Sequence, residues 1–254
     1  MIRANDLVRV REQFGVADAQ VVRDHVISHL LAALSQMPGQ GELVFFGGTA
    51  LSRTLLPDLR LSEDIDLLTT ARRSDIAPRM MEAIDDGLAR SHGSVEWFPP
   101  LHQTRGSGPA VLRVADATTV QIQLLSYINY PRWPTLEVDL EQRYGDAPPA
   151  RMKVLTPAAF VAAKLAAWRD RRAPRDLYDL WALADAGHVT AESLDLYVRM
   201  GPTGQPSTSG DFVDLPSDGA WSAALAHQCR IQVDAPTAAR RVSEALRRAG
   251  DLGG

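Results

Sequence analysis

Leu43-Val44-Phe45-Phe46-Gly47-Gly48-Thr49-Ala50-Leu51 and, past Pro57, Arg60-Leu61-Ser62-Glu63-Asp64-Ile65-Asp66-Leu67-Leu68 are the stretches that decide the fold. The first is an apolar run closed by two glycines, followed by residues 49–55, which suit a short helix stopped by Pro57; it reads as strand, glycine turn, helix. The second alternates acidic and apolar residues over 63–68, as a half-buried strand does, so Asp64 and Asp66 share one face. Glycines allow close backbone approach, and the N–H groups at a helix start favour an anionic phosphate. Two carboxylates at i and i+2 bind divalent cations through oxygen, and such cations also bind phosphates. Either feature alone is common; their order and closeness point to a nucleotide site.

Outward from this core, residues 17–36 predict an amphipathic helix, with Val21, Val22, His25, Val26, Leu30 and Leu34 at helical spacing. Residues 75–90 predict a second helix, and 94–98, 110–114 and 120–125 predict short strands. From Thr156 the pattern turns helical, over 157–169, 175–186 and 235–249, with a Gly-, Pro- and Ser-rich loop at 201–219. The Pro148-Pro149 turn suggests two domains, 1–150 and 151–254.

The chain has 254 residues, 45% of them hydrophobic, enough for a substantial core. It contains no run of about 18 or more apolar residues and no signal-peptide pattern at its start, so a cytosolic protein with no membrane partner is expected. One cysteine, Cys229, excludes an internal disulfide framework. The six histidines show no mutual spacing that suggests a metal or a triad; all read as structural or exposed, and any metal is expected to be held by oxygen. A net charge of −4 argues against a non-specific DNA binder, so nucleic-acid contact requires a local basic patch. The segment from Arg151 to Arg175 offers one, with Lys153, Lys164, Arg169, Arg171 and Arg172 between them and only Asp170 opposing.

The stretches 46–51 and 60–67 resemble the core signature of the AbiEii/AbiGii toxin nucleotidyltransferases, the group that includes the MenT toxins. Lys164-Leu165-Ala166-Ala167, Arg172 and Arg175-Asp176-Leu177-Tyr178-Asp179-Leu180 resemble that family's second block. The resemblance implies an α/β (α+β) nucleotidyltransferase fold of the polymerase-beta-like kind: a small mixed sheet flanked by helices, plus a helical carboxy-terminal domain. It implies Mg²⁺ or Mn²⁺ as cofactor, an NTP as donor, the 3′ end of tRNA as acceptor, and a cognate antitoxin. Carried over by residue, Asp64 and Asp66 would bind metal, and Gly47, Gly48 and Thr49 would contact the triphosphate. Lys164 and Asp176 would complete the catalytic set. Ser62, Arg175 and Lys164, the last through the triphosphate, join the nucleotide-binding residues, and Arg169, Arg171 and Arg172 would grip RNA.

The third carboxylate usual in polymerase-beta-like enzymes has no counterpart on the expected neighbouring strand, which reads Thr119-Val120-Gln121-Ile122-Gln123-Leu124. A glutamine ligates through its carbonyl but is no base near neutral pH. The acceptor proton would then go to water, Asp66 or Asp176. Two other readings keep the nucleotide site: transfer to a protein or small molecule, and a non-catalytic nucleotide-binding regulator.

Overall fold

Strand β1 (Leu43–Phe46) is buried at all four positions, which explains why its sequence is an unbroken apolar run. It is paired on one side with β2 (Asp64–Thr69), antiparallel, and on the other with β7 (Arg151–Leu155), parallel. With β3 (Glu96–Trp97), β4 (Ala110–Arg113), β5 (Thr119–Ser126) and β6 (Thr135–Asp139), these form a mixed seven-stranded sheet in the order β3-β4-β5-β2-β1-β7-β6. The computed structural model describes residues 2–114 and 118–251. Two compact units are resolved: Met1–Tyr130 with Leu136–Val154, and Pro131–Thr135 with Leu155–Gly254.

In the first unit, α1 (Ala4–Phe14) sets Val10 and Phe14 against Val21, Leu61 and Tyr144. Helix α2 (Asp18–Gln36) occupies the interior, and this corrects the amphipathic expectation. Gln20, Asp24, Ser28 and His29, polar residues outside the expected apolar stripe, are all buried along with His25. Asp24 and His25 are accepted inside because other elements supply partners, Ser28 donates back to the Asp24 carbonyl, and His29 Nε2 is left without a hydrogen-bond partner. Helix α4 (Arg73–Ala89) packs on α2. A Cβ at Gly87 would lie 2.5 Å from the Cβ of Ala33, so the glycine permits this close approach.

The most demanding of these buried groups is Asp24, which together with Arg53 is completely buried. Arg53 Nη2 donates to Asp24 Oδ1 at 2.7 Å and Nη1 to the Glu141 carbonyl at 2.9 Å. Tyr144 donates its hydroxyl to Asp24 Oδ2 at 3.0 Å, while Arg143 donates to the carbonyls of Ser52 and Pro57. Burial lowers the Arg53 pKa to about 10, with the Asp24 charge opposing the shift, so the guanidinium stays charged near neutrality. The network fastens the end of α3 (Gly47–Ser52), the short helix that follows β1, to α2.

The second unit is helical: α5 (Pro157–Arg171), α6 (Pro174–Asp185), α7 (Ala191–Met200), α8 (Asp218–Leu225) and α9 (Ala235–Asp251). Thr156 caps α5 by accepting from the Ala159 N–H, and Pro157 takes the first position, where its missing N–H costs nothing. The helix ends at Arg172, whose φ of 47° is left-handed, and Pro174 then opens α6. Among the described residues no helix is long and apolar enough to cross a membrane.

Candidate active site

The short helix α3 starts at the glycine pair itself, two residues earlier than the sequence predicts. The cause is Gly47, whose φ of 80° turns the chain directly out of β1. Both glycines face functional groups. A Cβ on Gly47 would sit 2.1 Å from Asp66 Oδ2, and one on Gly48 would sit 2.6 Å from Arg60 Nη2 and 3.2 Å from Ser62 Oγ. Stripping side chains from two successive positions thus leaves a cradle walled by a carboxylate, a guanidinium and a hydroxyl.

Asp64 and Asp66 are half-buried between buried Ile65 and Leu67, so both project from the same face of β2. Phe46 is the register partner of Asp66, which places the carboxylate beside the turn. The Thr49 hydroxyl is buried and donates to the Asp64 carbonyl, tying the first turn of α3 to the start of β2. Arg60 and Ser62 are buried on the approach to that strand.

The neighbouring strand is the one the sequence points to. β5 runs parallel to β2, with Asp64 opposite Gln121 and Asp66 opposite Gln123. Parallel register puts these glutamines on the aspartates' face. The third-carboxylate position therefore holds an amide, and Gln123 Nε2 donates to the Ser107 carbonyl at 2.5 Å. Ser107 belongs to the wall of a cavity of about 510 Å³ at the far end of β2 and β5, shared with Thr69, Arg73, Leu124, Ser126 and Tyr130. The Tyr130 ring lies 5.3 Å from that of Phe46, the residue preceding the glycines.

In the second unit the α5–α6 hairpin gathers another charged group. Lys164 is buried, not a surface lysine, and Nζ lies 3.0 Å from Asp176 Oδ1 and 2.6 Å from Asp179 Oδ2. Arg171 donates from Nε and Nη2 to both oxygens of Asp176, at 2.7 and 3.0 Å. Burial pushes the Asp176 pKa up, but the Lys164 charge and the Arg171 hydrogen bonds outweigh it and pull it down to about 2. So weak a base is a poor proton acceptor near neutrality, which counts against Asp176 as the general base. Arg175 is half-buried in the first turn of α6. Arg169 pairs with Asp211 at 2.9 Å, and Arg172 donates to the Asp211 and Asp214 carbonyls at 3.3 Å. The arginines expected to grip RNA thus have internal partners, although the side chain of Arg171 remains 61% exposed.

One group in the first unit was not expected from the sequence. His25, His29 and Asp146 converge, with His92 beside them. The legible signal was the i, i+4 spacing of His25 and His29, which puts both on one helix face. Asp146 and His92 are too distant in sequence to be joined to them by spacing.

Comparison with known proteins bears on this geometry. A family profile described as "Nucleotidyl transferase AbiEii toxin, Type IV TA system" matches residues 29–237. Among solved structures, MenT4, a nucleotidyltransferase toxin from Mycobacterium tuberculosis H37Rv, superposes with a TM-score of 0.69 at 23% identity, covering 93% of this chain and 85% of that one. A protein from H. pylori described as a nucleotidyltransferase superposes with a TM-score of 0.57 at 18% identity, covering 94% and 97%. No curated protein sequence matches the chain.

Proposed function

Because the chain belongs to the AbiEii family of nucleotidyltransferase toxins of type IV toxin–antitoxin systems, we propose that it transfers a nucleoside monophosphate from an NTP to RNA, at the 3′ end of tRNA, in the cytoplasm. The observation that carries this reading is the cradle at Gly47-Gly48, bounded by Asp66, Arg60 and Ser62. A triphosphate needs room for its oxygens where side chains would stand, donors to meet them, and carboxylates for a bridging cation.

The donor set fits a hard divalent cation: Asp64 and Asp66 present oxygens from one strand face, and the space a Gly47 side chain would fill adjoins one of them. When bound there, Mg²⁺ would neutralise phosphate charge and orient the reacting phosphoryl group. Arg60, Ser62 and the backbone of Gly47 and Gly48 would hold the triphosphate, while Thr49 keeps α3 and β2 in register through its bond to the Asp64 carbonyl. The cavity of about 510 Å³ is of the size that takes a nucleoside, and Gln123 fixes its Ser107 wall to the carboxylate face. With Gln123 in the third-carboxylate position and Asp176 a weak base, we assign the acceptor proton to Asp66 or water.

Lys164, already held by Asp176 and Asp179, is assigned a positioning role that sets the α5–α6 hairpin. Arg169, Arg171 and Arg172 are assigned to the RNA backbone and Arg175 to the nucleotide, and an antitoxin is the expected protein partner. The test is incubation of purified protein with labelled NTPs, Mg²⁺ and total RNA, in parallel with Asp64→Ala and Asp66→Ala. Labelled tRNA with the parent and at least about a hundredfold less with either variant is expected, since phosphoryl transfer rests on this positioning. Full activity in Asp64→Ala refutes the site. Label appearing in protein and not in RNA refutes the acceptor.

A further inference from the structure

We propose that His25, His29 and Asp146 form a binding site for a divalent transition-metal ion of the zinc class, separate from the Asp64–Asp66 pair, with His92 orienting His25. Their ligand atoms all lie within 4.8 Å of one another. His25 Nε2 is 3.1 Å from each Asp146 oxygen, and His29 Nε2 is 3.9 Å from Asp146 Oδ2. Nitrogen and oxygen donors about 2.0–2.1 Å from a tetrahedral zinc stand about 3.3 Å apart, so the widest separation needs to close by at most about 1.5 Å. Three protein ligands leave a fourth position for water.

Two features mark this as a built site and not a chance meeting of histidines. First, His29 is 6% exposed and its Nε2 has no hydrogen-bond partner. An unpaired ring nitrogen in the interior is costly, and a metal ion would satisfy it. Second, His25 is gripped at both nitrogens. Nδ1 is 3.1 Å from His92 Nε2, and His92 Nδ1 is 2.8 Å from the Ser91 hydroxyl. With metal on Nε2, His25 carries its proton on Nδ1 and donates it to His92, the outer-shell bond that orients ligand histidines. Burial first, and neighbouring imidazoles second, hold His29 down to about 4 and His92 to about 3, so both rings are neutral near pH 7, the form that ligates.

The donor chemistry separates this ion from the one proposed at Asp64 and Asp66. Two imidazoles with one carboxylate suit zinc, nickel or copper and offer little to magnesium. The expectation that metal would be held by oxygen alone is thereby revised for this second site. Access is available because the Asp146 side chain is 23% exposed. The ligands come from α2 and from the segment between β6 and β7, and His92 follows α4. The His25 ring also lies 4.9 Å from Tyr144, which bonds to Asp24. A bound ion would cross-link these segments beside the network that holds the end of α3.

The experiment is zinc titration of untagged, chelator-stripped, full-length protein by competition with a chromophoric chelator, together with thermal unfolding and cobalt absorption spectra. One zinc per chain with micromolar or tighter affinity, a raised melting temperature and a tetrahedral cobalt spectrum are expected. Magnesium should produce no such effects. His29→Gln should weaken zinc binding at least tenfold, while His102→Gln, at an exposed position, should leave it unchanged. If His29→Gln does not fold, Asp146→Asn replaces it, and the cobalt spectrum of the parent protein stands independently. No zinc bound below about 100 µM, or equal affinity in His29→Gln and parent, overturns the proposal. None of these readouts depends on nucleotide transfer, so this site and the transfer site fail or survive separately.

Discussion

Gly47→Ala adds a single methyl group, and the structure sets the size of its effect twice over. The φ of 80° at this position costs an L-residue about 1–2 kcal/mol. The new Cβ would also lie 2.1 Å from Asp66 Oδ2, against an ordinary contact of at least 3.4 Å. The carboxylate must therefore retreat by about 1.3 Å or the turn must open. Asp66 is half-buried, so its side chain has room to swing, and the loss of stability should stay within about 1–3 kcal/mol. Catalysis has less tolerance. Displacing a positioning group by about 1 Å costs on the order of a hundredfold in rate, or about 2.7 kcal/mol. The assay pairs urea denaturation with single-turnover transfer from labelled NTP. Gly48→Ala is the comparison: its φ is not left-handed, and its Cβ would press on Arg60 and Ser62, so it should raise KM for NTP more than it lowers kcat. A Gly47→Ala protein as stable as the parent and within threefold of its rate would refute the cradle.

Lys164→Met should destabilise the protein by about 3–5 kcal/mol in denaturant, because it leaves Asp176 and Asp179, each 1% exposed, without their buried cation. The same variant should change acid stability. In the parent, the Asp176 pKa of about 2 contributes about 2.5 kcal/mol that is complete above about pH 4 and is lost as pH falls through 2. Without Lys164 that pKa rises, so acid unfolding should begin at higher pH; an unshifted acid limb would show that the pair is not coupled. Asp24→Asn strips the counter-charge from fully buried Arg53 and should cost about 3–5 kcal/mol by urea denaturation, with less than about 1 kcal/mol contradicting the network.

Local features were legible because short-range physics fixes them. The apolar run, the glycine pair and the acidic alternation predicted β1, the turn, α3 and β2 to within three residues, and the pairing of Asp64 with Asp66 on one face follows from the strand period alone. Even the amide at Gln123 was visible, since β5 alternates cleanly between buried and accessible positions. β6 and β7 were not visible. They carry charged residues such as Glu137 and Arg151, and are strands only because β7 adds beside β1 and β6 closes the sheet beyond it. α1, α7 and α8 escaped for a similar reason: short helices owe their stability to what they pack on.

The sequence by itself determined the glycine turn, the carboxylate pair on one strand face and the resemblance to the family. Only the tertiary structure decided what the polar residues do once buried. α2 reads as amphipathic because the sequence shows polar residues at intervals but not the partners that allow them inside. Burial raises the cost of an unpaired charge, so the fold must provide Arg53 and Tyr144 for Asp24, and Asp176 and Asp179 for Lys164. The meeting of His25 and His29 with Asp146, more than a hundred residues away in sequence, is likewise set by how the chain returns on itself, which no local spacing encodes.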